Sequence, residues 1–367
     1  MAAAQGRAGS SFFESLFSGM NFSFGGSSTA VGLSIGASSV KVVELKKKKK
    51  QWALLKYASV PLIESTSEQR EIANPIAVVE SIQNAIKTAG ITSKNVCSAL
   101  AGSGLIIKYL TITVTNMKEL QDQVYWEAEQ YIPYEISEVV IDYQVIGQPK
   151  GDQVDVILVA VKKEFLEQYM SAITQAKLNP KVIDAELFAL QNAYESNYPE
   201  SETQSALLAD VGALSTKIVI CGNGIPYFTK DASFGGNAIT QEIQRELNFA
   251  RFQDAEALKV SNNVPQEVKD VLGRSAQNLA IEIKRALDFY SASSLGPPVT
   301  QILLSGGASR TNSVISAIKE KTGLPTDFLN PFLSVESELG TDSVDLAQIS
   351  PEVVIPMGLA IRAGVEK

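Results

Sequence analysis

Apolar and polar positions alternate in short runs along most of this chain, and two of the runs share one pattern. Residues 31–45, Val-Gly-Leu-Ser-Ile-Gly-Ala-Ser-Ser-Val-Lys-Val-Val-Glu-Leu, read as strand, tight turn, strand. Gly36 sits where the backbone turns, Ser38 and Ser39 follow it, and a β-rich run resumes at Val40. Residues 207–221, Leu-Leu-Ala-Asp-Val-Gly-Ala-Leu-Ser-Thr-Lys-Ile-Val-Ile-Cys, overlay the first copy without gaps. Gly36 falls on Gly212, Ala37 on Ala213, Ser39 on Ser215, Lys41 on Lys217 and Val43 on Val219. A small-residue turn of this kind can wrap a phosphate with main-chain donors. One chain carrying the same hairpin twice predicts two related domains facing each other.

The remaining pattern fills in the elements around these hairpins. Residues 1–30 are rich in Gly, Ser and Phe, and Phe12, Phe13, Leu16, Phe17 and Met20 recur at helical spacing. That stripe suits a short helix packed on the body or a disordered tail, with membrane or partner contact as the alternative. Lys46 to Lys50 read as a solvated loop between strands, with contact to anionic lipid as the alternative. Residues 75–89 predict an amphipathic helix with Ile76, Val79, Ile82 and Ile86 on its apolar face, and Asn95 to Ala101 a strand. Residues 105–178 predict an inserted unit: strands at 106–114, 139–146 and 154–161, and helices at 118–131 and 163–177. A strand at 181–183 and a helix from Asp184 follow. After the second hairpin, Gly235-Gly236 opens a helix to about Leu247, and residues 275–291 form a long helix on which Glu282, Arg285 and Phe289 share a face. Ile302 to Ser309 read as a strand running into a glycine pair, which leaves helix N–H groups open to a ligand. A helix at 312–322 and a last helix at 351–363, with Gly358 allowing close packing, complete the chain.

Composition narrows the classes. The 367 residues suit two or more domains, and 45% hydrophobic with 20% charged is the balance of a soluble globular protein. A net charge of −8 disfavours bulk nucleic-acid binding. The absence of histidine removes Ser-His-Asp and Cys-His nucleophiles and His-ligated zinc. Cys97 and Cys221, both in apolar runs, read as buried thiols of a reducing compartment. No apolar run reaches membrane-span length, and the N-terminus lacks a basic start followed by an apolar core, so a cytosolic protein is expected.

Taken in order, the chain presents a phosphate-type hairpin, an Asp-x-Glu connecting helix, a second hairpin, a Gly-Gly helix, a Glu-x-x-Arg helix, Ser-Gly-Gly-Ala-Ser and a terminal Gly helix. This set resembles the superfamily of actin, the heat-shock chaperones and the sugar kinases along nearly the whole chain. The inserted unit looks like the extra subdomain of the FtsA branch. Tyr125-Trp126-Glu127-Ala128-Glu129-Gln130-Tyr131-Ile132-Pro133, Arg285-Ala286-Leu287-Asp288-Phe289-Tyr290 and Gly358-Leu359-Ala360 are similar to the PilM family of cytoplasmic type IV pilus assembly proteins. The resemblance implies an α/β, actin-like ATPase fold, with two duplicated domains around a nucleotide cleft and an FtsA-like inserted αβ subdomain. Its divisions are a flexible segment (1–29), a first subdomain (30–104, 179–204 and 351–367), the insertion (105–178), a second subdomain (205–244 and 299–350) and a small helical subdomain (245–298).

The same resemblance implies roles. Gly36, Ser38, Ser39 and Lys41 would line the first phosphate loop. Asp210, Gly212, Ser215 and Thr216 would line the second, with Asp210 holding the waters around Mg²⁺. Gly306, Gly307 and Ser309 would approach the adenosine of ATP, Glu282 with Arg285 would flank ribose and base, and Gly236 would be a further cofactor-binding position. Glu186 falls where the superfamily orients the attacking water; a polar residue in the first turn of a helix is the equal alternative. The superfamily usually carries an acid at the position of Ser34, so ATP with Mg²⁺ is expected to bind but to be hydrolysed slowly or not at all. Turnover compared with Ser34→Asp tests that expectation.

The function implied is an ATP-binding scaffold of the pilus inner-membrane platform. It would take the cytoplasmic N-terminal tail of PilN in a groove between the first domain and the insertion, peripheral to the membrane through its partners, the assembly motor among them. Two alternatives share the fold. A sugar or metabolite kinase needs an unassigned carboxylate base, which the sequence does not offer. An FtsA-like division protein would carry a basic amphipathic tail that the last residues, from Arg362, do not present.

Overall fold

The structure, a computed structural model, describes residues 29–365 except 50, 63–71, 115, 148, 150, 200, 262, 294–295, 311 and 340–344. The apolar stripe of Phe12 to Met20 and the last of the five lysines therefore lie outside the described residues.

The first half begins with an antiparallel meander, β1 (Thr29–Ile35), β2 (Ser39–Lys48) and β3 (Gln51–Pro61). The lysine run belongs to this meander rather than to a loop. Lys46 to Lys48 continue β2, Lys47 lies over the Trp52 ring at 5.4 Å, and Lys48 pairs with Glu336 and Glu338. α1 (Pro75–Ala89) starts where Asn74 Oδ1 accepts from the Ala77 N–H at 3.2 Å, and it stops at Gly90 with φ 64°. Its buried face is Val78, Ile82, Ala85 and Ile86, and Ile76 points to solvent. The expected stripe was rotated because Ala85, short enough to sit close to the sheet, counts as a packing position. β4 (Asn95–Leu100) then joins β1 in parallel.

The insertion forms its own three-stranded sheet, β5 (Leu105–Thr113), β6 (Val139–Val145) and β7 (Gln153–Lys162) in the order β5-β7-β6, covered by α2 (Leu120–Tyr131). β7 is apolar from Val156 to Val161 because both its faces are covered there. Val154, Val156, Leu158 and Ala160 face α2, whereas Ile157 and Val159 meet Phe188. α3 (Lys163–Gln175) was expected within this unit. Its Phe165, Leu166, Tyr169 and Ile173 instead join the core of α1 and the first sheet, so the chain is back in the first half by residue 163. Lys177 in left-handed geometry, φ 65°, turns it into β8 (Asn179–Ala185), which is longer than expected and carries Pro180 inside it.

α4 (Glu186–Glu195) crosses to the second half. There β9 (Ser205–Val211), β10 (Thr216–Gly222) and β11 (Ile225–Ala232) repeat the antiparallel meander. α5 (Gly236–Glu246), α6 (Phe252–Lys259) and α7 (Gln266–Ser293) form a helical subdomain above it. β12 (Val299–Ser305) joins β9 in parallel, and α8 (Asn312–Thr322) leads to β13 (Thr326–Phe328). The two sheets now read β3-β2-β1-β4-β8 and β11-β10-β9-β12-β13, one topology used twice. β14 (Val335–Ser337) extends the first sheet beside β3, so the chain returns to the first half well before residue 351.

The last helix, α9 (Leu346–Val365), and α4 form the layer between the sheets. One core holds Cys97 and Ala99 of the first sheet, Leu208 and Cys221 of the second, and Leu190 and Leu359 of the two helices. Cys97 and Cys221 are both buried, and neither is in a disulfide. Where the helices cross, a Cβ on Gly358 would stand 1.8 Å from the Ala189 carbonyl oxygen, so only glycine permits this approach. The pair of helices thus sets the two sheets on opposite sides, with the turn of each hairpin at the same end.

Candidate functional site

The two hairpin turns are built alike. The Gly36 N–H donates to the Ser39 carbonyl at 3.0 Å, and the Gly212 N–H donates to the Ser215 carbonyl at 3.0 Å. Across the strands, Ser34 is paired with Lys41 and Asp210 with Lys217, at the same register in both copies. Both turns open onto one cavity of about 750 Å³ between the halves.

Of the residues singled out in the sequence, Gly36, Ser38, Ser39, Lys41, Glu186, Asp210, Gly212, Gly236, Gly306 and Gly307 line this cavity. Three more stand just behind it. Ser215 closes the second turn, and Thr216 Oγ1 donates to the Phe234 carbonyl at 2.7 Å. Ser309 Oγ donates to the Gly306 carbonyl at 2.7 Å, holding the glycine turn. Gly306 has φ 88°, and a Cβ there would meet the Val211 carbonyl oxygen at 2.3 Å, so β12 can close on β9 here only with glycine.

Glu282 and Arg285 are not brought to the cavity. α7 begins at Gln266 rather than Ser275, so its cavity-lining positions are Leu272, Ser275, Ala276 and Leu279. Glu282 stands three residues beyond Leu279, less than one turn and about 4.5 Å further along the helix axis. It binds Lys230 of β11 at 2.9 Å and pairs with Arg285, which is largely exposed. The Lys230 hydrogen bond holds the Glu282 carboxyl below its ordinary range.

Several cavity residues were not singled out by sequence reading. Lys259 Nζ donates to the Gly236 carbonyl at 3.1 Å, to Thr240 Oγ1 at 2.8 Å and to Glu256 at 2.7 Å. Arg310 pairs with Glu352 at 2.6 Å. Ser275 is buried against the apolar end of the cavity, and its Oγ has no hydrogen-bond partner among the described residues. Lys217, 3% exposed, lies between two acids, 2.9 Å from Glu186 Oε2 and 3.2 Å from Asp210 Oδ2. The repeat itself carried the signal for Lys217, since it is the partner of Lys41.

Lys41 differs from it. Among the described residues no carboxylate comes within ion-pair distance of Lys41. Enclosure by protein holds its ammonium below the ordinary lysine range, opposed by the more distant charges of Glu352, Asp210 and Glu186. An enclosed cation of this kind, beside two small-residue turns, is suited to receive an anion.

The magnesium ion that the resemblance attaches to Asp210 does not fit this donor set. Oδ1 accepts from Ser305 Oγ at 3.0 Å and Oδ2 accepts from Lys217. Position 34 is serine, so the first hairpin brings no second carboxylate opposite Asp210.

Comparison with known proteins agrees with this architecture. The family described as type IV pilus assembly protein PilM matches residues 32–364. The chain belongs to this PilM family. A solved PilM-PilN type IV pilus biogenesis complex is similar at 28% identity, covering 92% of this chain and 99% of that one, with a TM-score of 0.83. Two more distant structures share the fold alone. The ethanolamine utilization protein EutJ from Carboxydothermus hydrogenoformans is 15% identical over 91% of this chain and 89% of its own, TM-score 0.53. A diol dehydratase-reactivating factor is 11% identical over 93% of this chain and 100% of its own, TM-score 0.53. The duplicated halves, the opposed turns and the insertion of this PilM family member are thus those of an actin-like ATPase fold. Among its described residues no helix is long and apolar enough to cross a membrane.

Proposed function

We propose that this PilM family member is a nucleotide-clasped scaffold of type IV pilus assembly. ATP would bridge the two turns, with its phosphates on the N–H groups after Gly36 and Gly212 and against Lys41. Its nucleoside would lie toward the apolar end of the cavity, beside Ser275 and Lys259. The observation that carries this reading is the duplicated turn: two superimposable hairpins open onto one cavity of about 750 Å³. Ligand pockets of this size take molecules of nucleotide class.

The residues support binding more than turnover. Glu186 is expected to orient a water only if its carboxylate is free, and here it is held by Lys217. The other cavity acids, Glu256 and Glu352, are paired with Lys259 and Arg310. Slow or absent hydrolysis is therefore the reading, and neither the kinase nor the division-protein alternative gains an observation. The proposed partner is the cytoplasmic N-terminal tail of PilN, by likeness to the PilM-PilN complex, and it would hold the protein at the cytoplasmic face of the inner membrane. In the insertion, α2 packs Leu120, Val124 and Ala128 inward and leaves Tyr125, Trp126 and Tyr131 exposed, an apolar surface for such a partner.

Capture of the full chain on an immobilised PilN tail peptide, with and without ATP, tests the scaffold. Retention that ATP strengthens is expected, and no retention in either condition would refute it.

A further inference from the structure

Lys217 does something that the rest of the cavity does not require. Its ammonium is almost wholly enclosed, and it reaches two carboxylates on different elements: Asp210 across the hairpin on β9, and Glu186 at the start of α4. These are the two acids that an actin-like site would commit to its cation and its attacking water. Asp210 is further held by Ser305 of β12. One lysine therefore ties together the second hairpin and the helix leading into it, at the floor of the cleft. The two copies of the hairpin have diverged at this point. The pair is Ser34 and Lys41 in the first, and Asp210 and Lys217 in the second. Among the described residues the first copy presents a cation with no acid at ion-pair distance, and the second presents an acid paired with a cation.

We infer that Lys217 is a built-in counter-cation. It occupies the charge position beside Asp210 and Glu186 that a divalent ion would otherwise fill, so the cleft takes a nucleoside triphosphate without a divalent metal. A magnesium ion held beside Asp210 and Glu186 would stand close to the Lys217 ammonium that already pairs with both, and like charges at such range repel. The triphosphate alone meets Lys41 and the turn N–H groups, none of which needs a metal. Lys217 acts through Asp210 and Glu186 and is a positioning residue.

This rests on the nucleotide reading above, and calorimetric titration of ATP into the full chain separates the two. In the wild type, affinity in excess EDTA is expected to stay within about threefold of that in magnesium chloride. A fall of more than about tenfold in EDTA would overturn the inference while leaving the nucleotide reading intact. Absence of binding heat in both solutions would refute both. Lys217→Met frees the two carboxylates, so its affinity is expected to fall more than about tenfold in EDTA and to recover in magnesium. Unchanged affinity of that variant in EDTA counts against the inference. Lys217→Arg keeps the charge and is expected to restore metal-independent binding. If Lys217→Met does not fold, as thermal denaturation would report, the wild-type titration and the arginine variant still decide.

Discussion

At the scale of single residues the cleft is a set of ion pairs with one member missing. Lys259, Arg310 and Lys217 each hold an acid, and among the described residues Lys41 does not. Lys41→Met should therefore weaken ATP binding by more than about tenfold, because the enclosed cation loses its anion. It should leave the thermal midpoint unchanged or slightly raised, since an enclosed charge without a counter-ion contributes no stability. The lowered proton affinity of Lys41 adds a pH signature. A bound triphosphate favours the ammonium, so in the alkaline range below the ordinary lysine value binding should take up protons. Titration in buffers of different ionisation enthalpy measures that uptake, and its absence would mean that the anion does not sit on Lys41. Ser275 gives the opposite kind of test. Its buried hydroxyl lacks a partner, so Ser275→Ala should stabilise the free protein by roughly 1 kcal/mol in chemical denaturation. Lys41 was legible because the internal repeat marks it. Lys217 was marked by the same overlay, but pairing with acids distant in sequence is a property of the folded chain and could not be read from it.

At the scale of elements, most strands and helices follow from their patterns, and the exceptions share a cause. α7 starts at Gln266 and not at Ser275, because the largely polar stretch before Ser275 carries Val268 and Val271, which continue the apolar face toward α5. The late start moved the Glu-x-x-Arg pair into view, and the full helix places it beyond the cleft. Glu282→Gln should leave ATP affinity unchanged and cost less than about 1 kcal/mol, the range of partly exposed ion pairs. That contribution comes from a lowered carboxyl, so it is present above the unfolded value and fades as pH falls through the folded one. Close packing of the last helix was legible in Gly358, and the structure supplies its neighbour, Ala189 of α4. Gly358→Ala should cost up to about 3 kcal/mol, since the Ala189 backbone cannot step aside without parting the sheets. A melting point within a degree of the wild type would contradict that account.

For the whole molecule, the duplication determines what the cleft can do. The halves share one topology and one buried layer, α4 and α9; the first adds the inserted sheet and the second adds the helical subdomain beside the cavity. A ligand held by both turns favours the arrangement in which they are close. α4 also carries Phe188, which packs on β7 of the insertion, so the helix that begins at Glu186 touches the cleft at one end and the inserted sheet along its side. If the PilN tail docks against the insertion, both ligands bias the placement of that helix, and their binding energies are coupled. Coupling of this kind is reciprocal: whatever factor ATP adds to the affinity for the tail, the tail must add to the affinity for ATP. Typical couplings run from about fivefold to about 150-fold. Titrating peptide with saturating ATP, and ATP with saturating peptide, measures the factor twice. Equal factors above one are expected in the wild type. Phe188→Ala should bring both toward one while leaving each ligand's separate affinity nearly unchanged, because the contact it removes lies between the two sites and belongs to neither.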